Sequence, residues 1–259
     1  MDGDTILHPQ FIERAAAVAD ASPDTAGVSA AWRGKPQRGR TIWQRLVLLY
    51  QRIGYGRAAE NRLRRNVHTM SGAGSFYRAE ALNGLIRHRG EVFAGRPDNL
   101  VEDYETTLAL KQLGWKVTAN QQCIAYTDLL PTLRELGAQQ IRWTRGTLDE
   151  WRRYGWCRAT RLSIASALVT VTTLAYAGVW VLSDIAGFLA HGDAPNPRYF
   201  LPAGCVALYQ AWAVKHLGWK IMLFEVALLP ELAFNVIRGY WLARSVASSC
   251  LRRDRGLWA

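Results

Sequence analysis

The sequence predicts an α/β domain, then interfacial helices, then an α-helical membrane region. Three observations predict this order. Strand-like and helix-like segments alternate up to about residue 128. Long uncharged apolar runs begin only at Leu162. Arg152, Arg153, Arg158 and Arg161 crowd the stretch just before that run, where a cytoplasmic membrane face carries its positive charge.

His8-Pro9 ahead of Phe11, Ile12, Ala15, Ala16 and Ala19 reads as a short helix with proline near its first turn. Val28 to Trp32 reads as a strand, and Gly34, Pro36 and Gly39 end it. Thr41 to Asn66 reads as one or two basic amphipathic helices interrupted near Gly54-Tyr55-Gly56. Val67 to Met70 is a short strand leading into Ser71-Gly72-Ala73-Gly74-Ser75. After Asp103, the spacing of Tyr104, Leu108, Leu110 and Leu113 gives an amphipathic helix stopped at Gly114. Trp115 to Thr118 follows as a strand, and Pro131 opens a helix that runs toward Trp143.

Leu162 to Ser183 holds no charged residue and is long enough to cross a bilayer. Tyr199 to Val214, extended by Leu217 and Trp219, reaches spanning length as well. A third stretch, Ile221 to Val246, carries Glu225, Glu231, Arg238 and Arg244, and Pro230 should kink it. It reads either as a span packed on other helices or as an interfacial helix. On this topology the loop from Ala190 to Arg198 faces out.

The chain of 259 residues has a formal net charge of +11. A balance this basic suits anionic lipid, a phosphate-bearing substrate or nucleic acid. Basic clusters that flank or interleave apolar segments favour the membrane face, and no nucleic-acid partner is expected. Cys123, Cys157, Cys205 and Cys250 form no CxxC pair, which argues against a zinc site or a disulfide framework.

Four short motifs carry chemistry. In Asp2-Gly3-Asp4 an extended backbone would point both carboxylates to one side, where they can hold Mg2+ or Mn2+. Alone, the pattern also reads as an acidic terminus. In Ser71 to Arg78 the small residues, Gly72 and Gly74 among them, let a sugar lie against the main chain; a plain turn would look the same. Val101-Glu102-Asp103 opens a helix, so Asp103 could be a general base near the positive helix end or simply an N-cap. Gln139, Arg142 and Trp143 stand at i, i+3 and i+4 and so share a helical face. An amide, a guanidinium and an indole there suit a diphosphate and a sugar, or a membrane-interface belt.

The order of these motifs resembles the processive, membrane-bound family 2 glycosyltransferases: the cellulose, chitin, hyaluronan and poly-N-acetylglucosamine synthases. The resemblance runs from Asp2 to at least Trp143 and is most specific over Val101 to Leu108 and Gln139 to Gly146. It implies a glycosyltransferase-A fold and inverting transfer from a nucleotide-sugar donor to a glycan or lipid-linked acceptor. It further implies Asp103 as catalytic base, and Asp2 and Asp4 on an Mg2+ or Mn2+ ion and the diphosphate. Glu102, Gly72, Gly74, Gln139, Arg142 and Trp143 would then be substrate contacts.

The expected organisation follows. Residues 1–128 form a partial glycosyltransferase-A domain and 129–161 the interfacial helices. Residues 162–248 form two or three transmembrane helices of a multi-pass protein of the cytoplasmic membrane, and 249–259 a basic tail. The family's nucleotide-binding half, which precedes Asp-X-Asp, has no counterpart here. A truncated or split synthase, inactive without a separate N-terminal half, is therefore expected. The alternative is a catalytically dead membrane interaction fragment.

Overall fold

The computed structural model describes residues 3–37, 39–61, 67–96, 98–192, 200–226 and 229–251. Four strands form one mixed sheet: β1 (Ile6–Leu7), β2 (Thr25–Gly34), β3 (Ser75–Tyr77) and β4 (Lys116–Thr127), in the order β1-β4-β2-β3. β2 and β4 pair in parallel at the centre, and β1 and β3 flank them antiparallel. β2 is buried from Thr25 to Ala31, as a central strand covered on both faces must be.

On one face lies α1 (Phe11–Asp20), whose Phe11, Ala15 and Ala19 pack with Val28, Ala30, Cys123 and Ala125. On the other lie α3 (Ala79–Arg89) and α4 (Glu102–Gln112), which bury Ala81, Leu85, Ala109 and Leu110 against Val117 and Met70. Gly27 faces this second layer. A Cβ there would stand 2.5 Å from Met70 Cε and 2.3 Å from the Phe76 carbonyl, so only glycine admits that approach. These layers agree with the expected α/β class.

Several elements differ from expectation. α2 (Ile42–Asn61) runs unbroken through Gly54 and Gly56. Tertiary contacts hold it: Ile53 is buried, and the Gln51 amide exchanges two hydrogen bonds with the Leu130 backbone, at 2.6 and 3.1 Å. Val67 to Met70 forms no strand. Its polar groups are met instead by Val117 O, by Lys111 Nζ on the Val67 carbonyl, and by Thr107 Oγ1 on the Met70 amide. β4 is three times as long as the strand expected at Trp115 to Thr118, and its register against β2 shifts after Asn120. α4 ends near Gly114, whose φ of +89° suits glycine. It is not amphipathic, because every residue from Tyr104 to Leu110 is buried.

α5 (Leu133–Tyr154) starts at Thr132, whose side chain accepts from the Glu135 amide at 3.2 Å while Thr132 Oγ1 donates to Glu135 Oε2 at 2.7 Å. This is a reciprocal cap of the Thr-x-x-Glu kind. α6 (Arg161–His191) is the one helix among the described residues long and apolar enough to cross a membrane. α7 (Phe200–Ala213) has 14 residues, about 21 Å of helix, and does not continue to Trp219. A 3-10 turn (Lys215–Leu217) and Gly218, with φ +101°, separate it from α8 (Trp219–Val226). The second expected span is thus not one continuous helix. α9 (Leu229–Leu251) carries Pro230 in its first turn, where proline is tolerated, and lies along α5. Most of the loop expected to face out, and the tail beyond Leu251, fall outside the described residues.

Candidate functional site

Three neighbouring pieces of chain build one cleft of about 310 Å³. It is lined by Ser71, Gly72, Ser75, Tyr77, Phe93, Glu102 and Asp103. The small-residue motif and the acidic pair, 31 positions apart between Gly72 and Asp103, therefore meet.

The loop is shaped from within. Ser75 Oγ donates to the Ser71 carbonyl at 2.8 Å, and the Ala73 amide donates to Ser71 Oγ at 3.1 Å. The Ala30 amide donates to the Gly74 carbonyl at 2.8 Å, tying the loop to β2. The glycines differ in task. Gly72 lines the cleft. At Gly74 a Cβ would stand 3.1 Å from Ala125 Cβ and 3.3 Å from Ala30 Cβ, so its missing side chain lets the loop settle on the sheet.

Asp103 is the second residue of α4, and Val101 is the N-cap. Its carboxylate is therefore not the helix's capping group. Oδ2 accepts from the Gly72 amide at 3.0 Å and Oδ1 from the Tyr104 amide at 2.7 Å. The position puts the carboxylate at the positive end of the helix dipole, aimed by one donor from its own helix and one from the loop. Below it, Thr107 Oγ1 donates to the Asp103 carbonyl at 2.7 Å and accepts from the Met70 amide at 2.9 Å. Tyr77 stands on the opposite wall. Burial first, and the Asp103 charge second, push its phenol above the ordinary range, so it stays a neutral hydrogen-bond donor.

Buried ion pairs brace this wall. Glu105, 3% exposed, pairs with Arg89 at 2.7 Å and accepts from the Tyr154 hydroxyl at 2.7 Å. Glu150 pairs with Arg96 at 2.9 Å, and burial raises its carboxyl above the usual value despite that arginine. Trp151 Nε1 donates to the Tyr104 hydroxyl at 2.7 Å. All but the Arg96 pair tie α4 directly to α3 or α5.

α5 is clamped on two sides. A Cβ at Gly146 would stand 2.8 Å from both methyls of Val101, and one at Gly137 would stand 2.7 Å from Trp241 Nε1. Nine residues apart, the two glycines occupy opposite faces of the helix. One face docks on the entry to α4 and the other on α9.

The Gln-x-x-Arg-Trp residues divide between those faces. Trp143 packs with Val101, Tyr104, Leu108 and Ala159, directly behind the acidic pair. Arg142 lines a separate groove between α5 and α9. Gln139 keeps its Oε1 buried and without a hydrogen-bond partner. The shared face expected from spacing is therefore split by the two helices that pack on α5.

Asp2 lies outside the described residues. Asp4 is exposed beside the C-terminal end of β4, where its Oδ2 accepts from Thr127 Oγ1 at 3.2 Å and its carbonyl from Lys35 Nζ. It does not line the cleft with Asp103. No three acidic, histidine or cysteine side chains converge among the described residues. The described donor set is one carboxylate, of the hard type Mg2+ or Mn2+ prefers, and it does not by itself fill a coordination sphere.

Tyr77 and Phe93 were not legible as cleft residues. Phe93 sits in an irregular connection with no periodic pattern. Gly146 had a signal, since it closes the motif stretch that begins at Gln139.

A family model described as glycosyl transferase family group 2 matches residues 1–244. No curated protein matches the chain.

Proposed function

The chain belongs to glycosyl transferase family group 2, and on that premise we propose an inverting sugar transfer, with Asp103 as the base, at the cytoplasmic face of a membrane. Family membership gives a nucleotide-sugar donor and an acceptor as substrates. The observation that carries the finer reading is the Asp103 carboxylate, held in a 310 Å³ cleft by the Gly72 and Tyr104 amides.

In this mechanism an acceptor hydroxyl enters beside Asp103, which takes its proton as the oxygen attacks the anomeric carbon. The bond from that carbon to the diphosphate oxygen breaks, and the nucleoside diphosphate leaves. The sugar lies against Gly72 and Ser75, with the neutral Tyr77 phenol as a donor. Glu102 binds a sugar hydroxyl. Trp143 fixes the acidic pair from behind, and Gly74 acts by seating the loop. Gln139 keeps its Oε1 buried and Arg142 opens on a separate groove, so neither is given a contact with the reacting groups. A divalent ion, where used, would neutralise the diphosphate. Asp4 is the described residue suited to such an ion, and no step of the proton transfer depends on it.

Membrane placement rests on α6, whose Leu168, Val169, Val179, Leu182, Phe188 and Leu189 are all exposed. A helix apolar all round needs a bilayer or a protein cover. With Arg152, Arg153, Arg158 and Arg161 at its start, the catalytic part lies on the cytoplasmic side. A processive polysaccharide synthase is the subtype this arrangement fits.

The test is donor turnover by the full-length protein in membranes, screened across nucleotide sugars with Mg2+ or Mn2+. Turnover that Asp103→Asn abolishes while nucleotide binding persists supports the reading. Full turnover by that variant refutes the base assignment.

A further inference from the structure

The groove between α5 and α9 is separate from the Asp103 cleft and has a volume of about 570 Å³. Arg134, Arg142, Arg145 and Arg244 line it, with no acidic residue among the lining side chains. Apolar and aromatic residues, Leu100, Leu133, Ile141, Tyr240 and Trp241, line it as well. Asp149 reaches Arg145 at 3.7 Å, but its carboxylate also accepts from Ser249 Oγ at 2.6 Å and lies 3.5 Å from Arg152. Arg134 and Arg244, both exposed, carry the positive charge at the mouth of the groove.

We infer that this groove binds the phosphate of an anionic membrane phospholipid, with the arginines on the headgroup and the apolar lining under the first part of the acyl chains. Guanidinium groups pair with phosphate in bidentate geometry. A free phosphate would use the arginines but gain nothing from Trp241 and Leu100, whereas a lipid uses both. The groove lies on the same chain as α6, whose bare apolar surface calls for a bilayer. Leu100 stands two residues before Glu102, so an occupied groove also abuts the entry to α4. The inference does not depend on the transfer reaction.

Arg134 and Arg244 are exposed, so their replacement leaves the packing of α5 on α9 intact. The experiment is native mass spectrometry of the detergent-purified full chain with phosphatidylglycerol, phosphatidylcholine or inorganic phosphate. The wild-type protein should retain phosphatidylglycerol at least tenfold better than phosphatidylcholine. Arg134→Gln with Arg244→Gln should remove that preference, and Arg134→Lys with Arg244→Lys should restore part of it. Arg87→Gln with Lys116→Gln, which removes equal charge elsewhere, should leave it unchanged. Equal loss in the remote variant, or no loss in the groove variant, overturns the inference. Inorganic phosphate binding as tightly as the lipid, with the same dependence on Arg134 and Arg244, also overturns it.

Discussion

α4 and α6 reverse the usual relation between composition and burial. α4 reads Glu-Asp-Tyr-Glu-Thr-Thr-Leu-Ala-Leu-Lys-Gln, yet its seven residues from Tyr104 to Leu110 are buried. α6 is apolar over most of 31 residues, yet its most apolar window has no buried residue. In α4 most buried polar groups have a protein partner: Glu105 Oε1 has Arg89 and Tyr154, and Thr107 has Asp103 and Met70, while Glu105 Oε2 is buried without a hydrogen bond. Such satisfaction makes polar burial tolerable. The most apolar window of α6 has no protein over it among the described residues. The difference separates two roles. One helix is fixed by its neighbours so that a carboxylate can be aimed, and the other leaves its apolar side chains uncovered among the described residues.

The largest expected effect falls on α4. Asp103→Asn should lower transfer by about a thousandfold or more, in the upper range for general-base loss, with an unchanged circular dichroism spectrum. Asn offers one acceptor oxygen where the carboxylate offers two, so one of the two amide donors loses its bond and a modest loss of stability, about 1–3 kcal/mol, accompanies an otherwise intact fold. Next comes a charge on α6. Val171→Arg, midway along the uncharged run Leu162 to Ser183, should cost about 2.5–3.5 kcal/mol of insertion at a bilayer centre, against about 0.5 kcal/mol on a water-facing helix. Membrane flotation reads the outcome, and an unchanged membrane fraction would remove α6 as the anchor.

A third pair compares the two regions directly. Gly146→Ala places a methyl 2.8 Å from both Val101 methyls and should destabilise by about 1–3 kcal/mol, with a lower turnover number. Gly178→Ala, with nothing within 4 Å, should leave both properties near wild type. The smallest effect concerns pH. Burial lowers the Lys111 amine to about 8, below the free-lysine value, so folding favours the neutral form. Its contribution to stability is full above the free-lysine range and is lost as pH falls through about 8. Wild-type melting temperature should therefore fall from pH 10 toward pH 7 more steeply than that of Lys111→Met.

The α/β class was legible because alternating strand-like and helix-like segments report it directly. The α1 start, the β2 core and the Gly114 stop followed from local residue chemistry, whereas a common role for the small-residue loop, Glu102 and Asp103 came from the family resemblance. What was hidden depends on distant partners. α2 stays straight across Gly54 because Gln51 is held by Leu130, 79 positions away. Val67 to Met70 looks like a strand, but Lys111 and Thr107 use its backbone groups. Gln139, Arg142 and Trp143 share a face by spacing, and only the packing of α9 and α4 on α5 sends Arg142 to a groove and Trp143 to a hydrophobic core.

The order of the sheet has one more consequence. Its long strands, β2 with 10 residues and β4 with 12, are both interior, while the outermost strands are β1 with 2 residues and β3 with 3. A foreign strand that docked on β1 or β3 itself would find a ladder only a few hydrogen bonds long. Those strands pair with only Gly27 to Ser29 of β2 and Ala125 and Tyr126 of β4, so among the described residues most of each long strand's outer edge has no strand beside it and is where a second molecule would add.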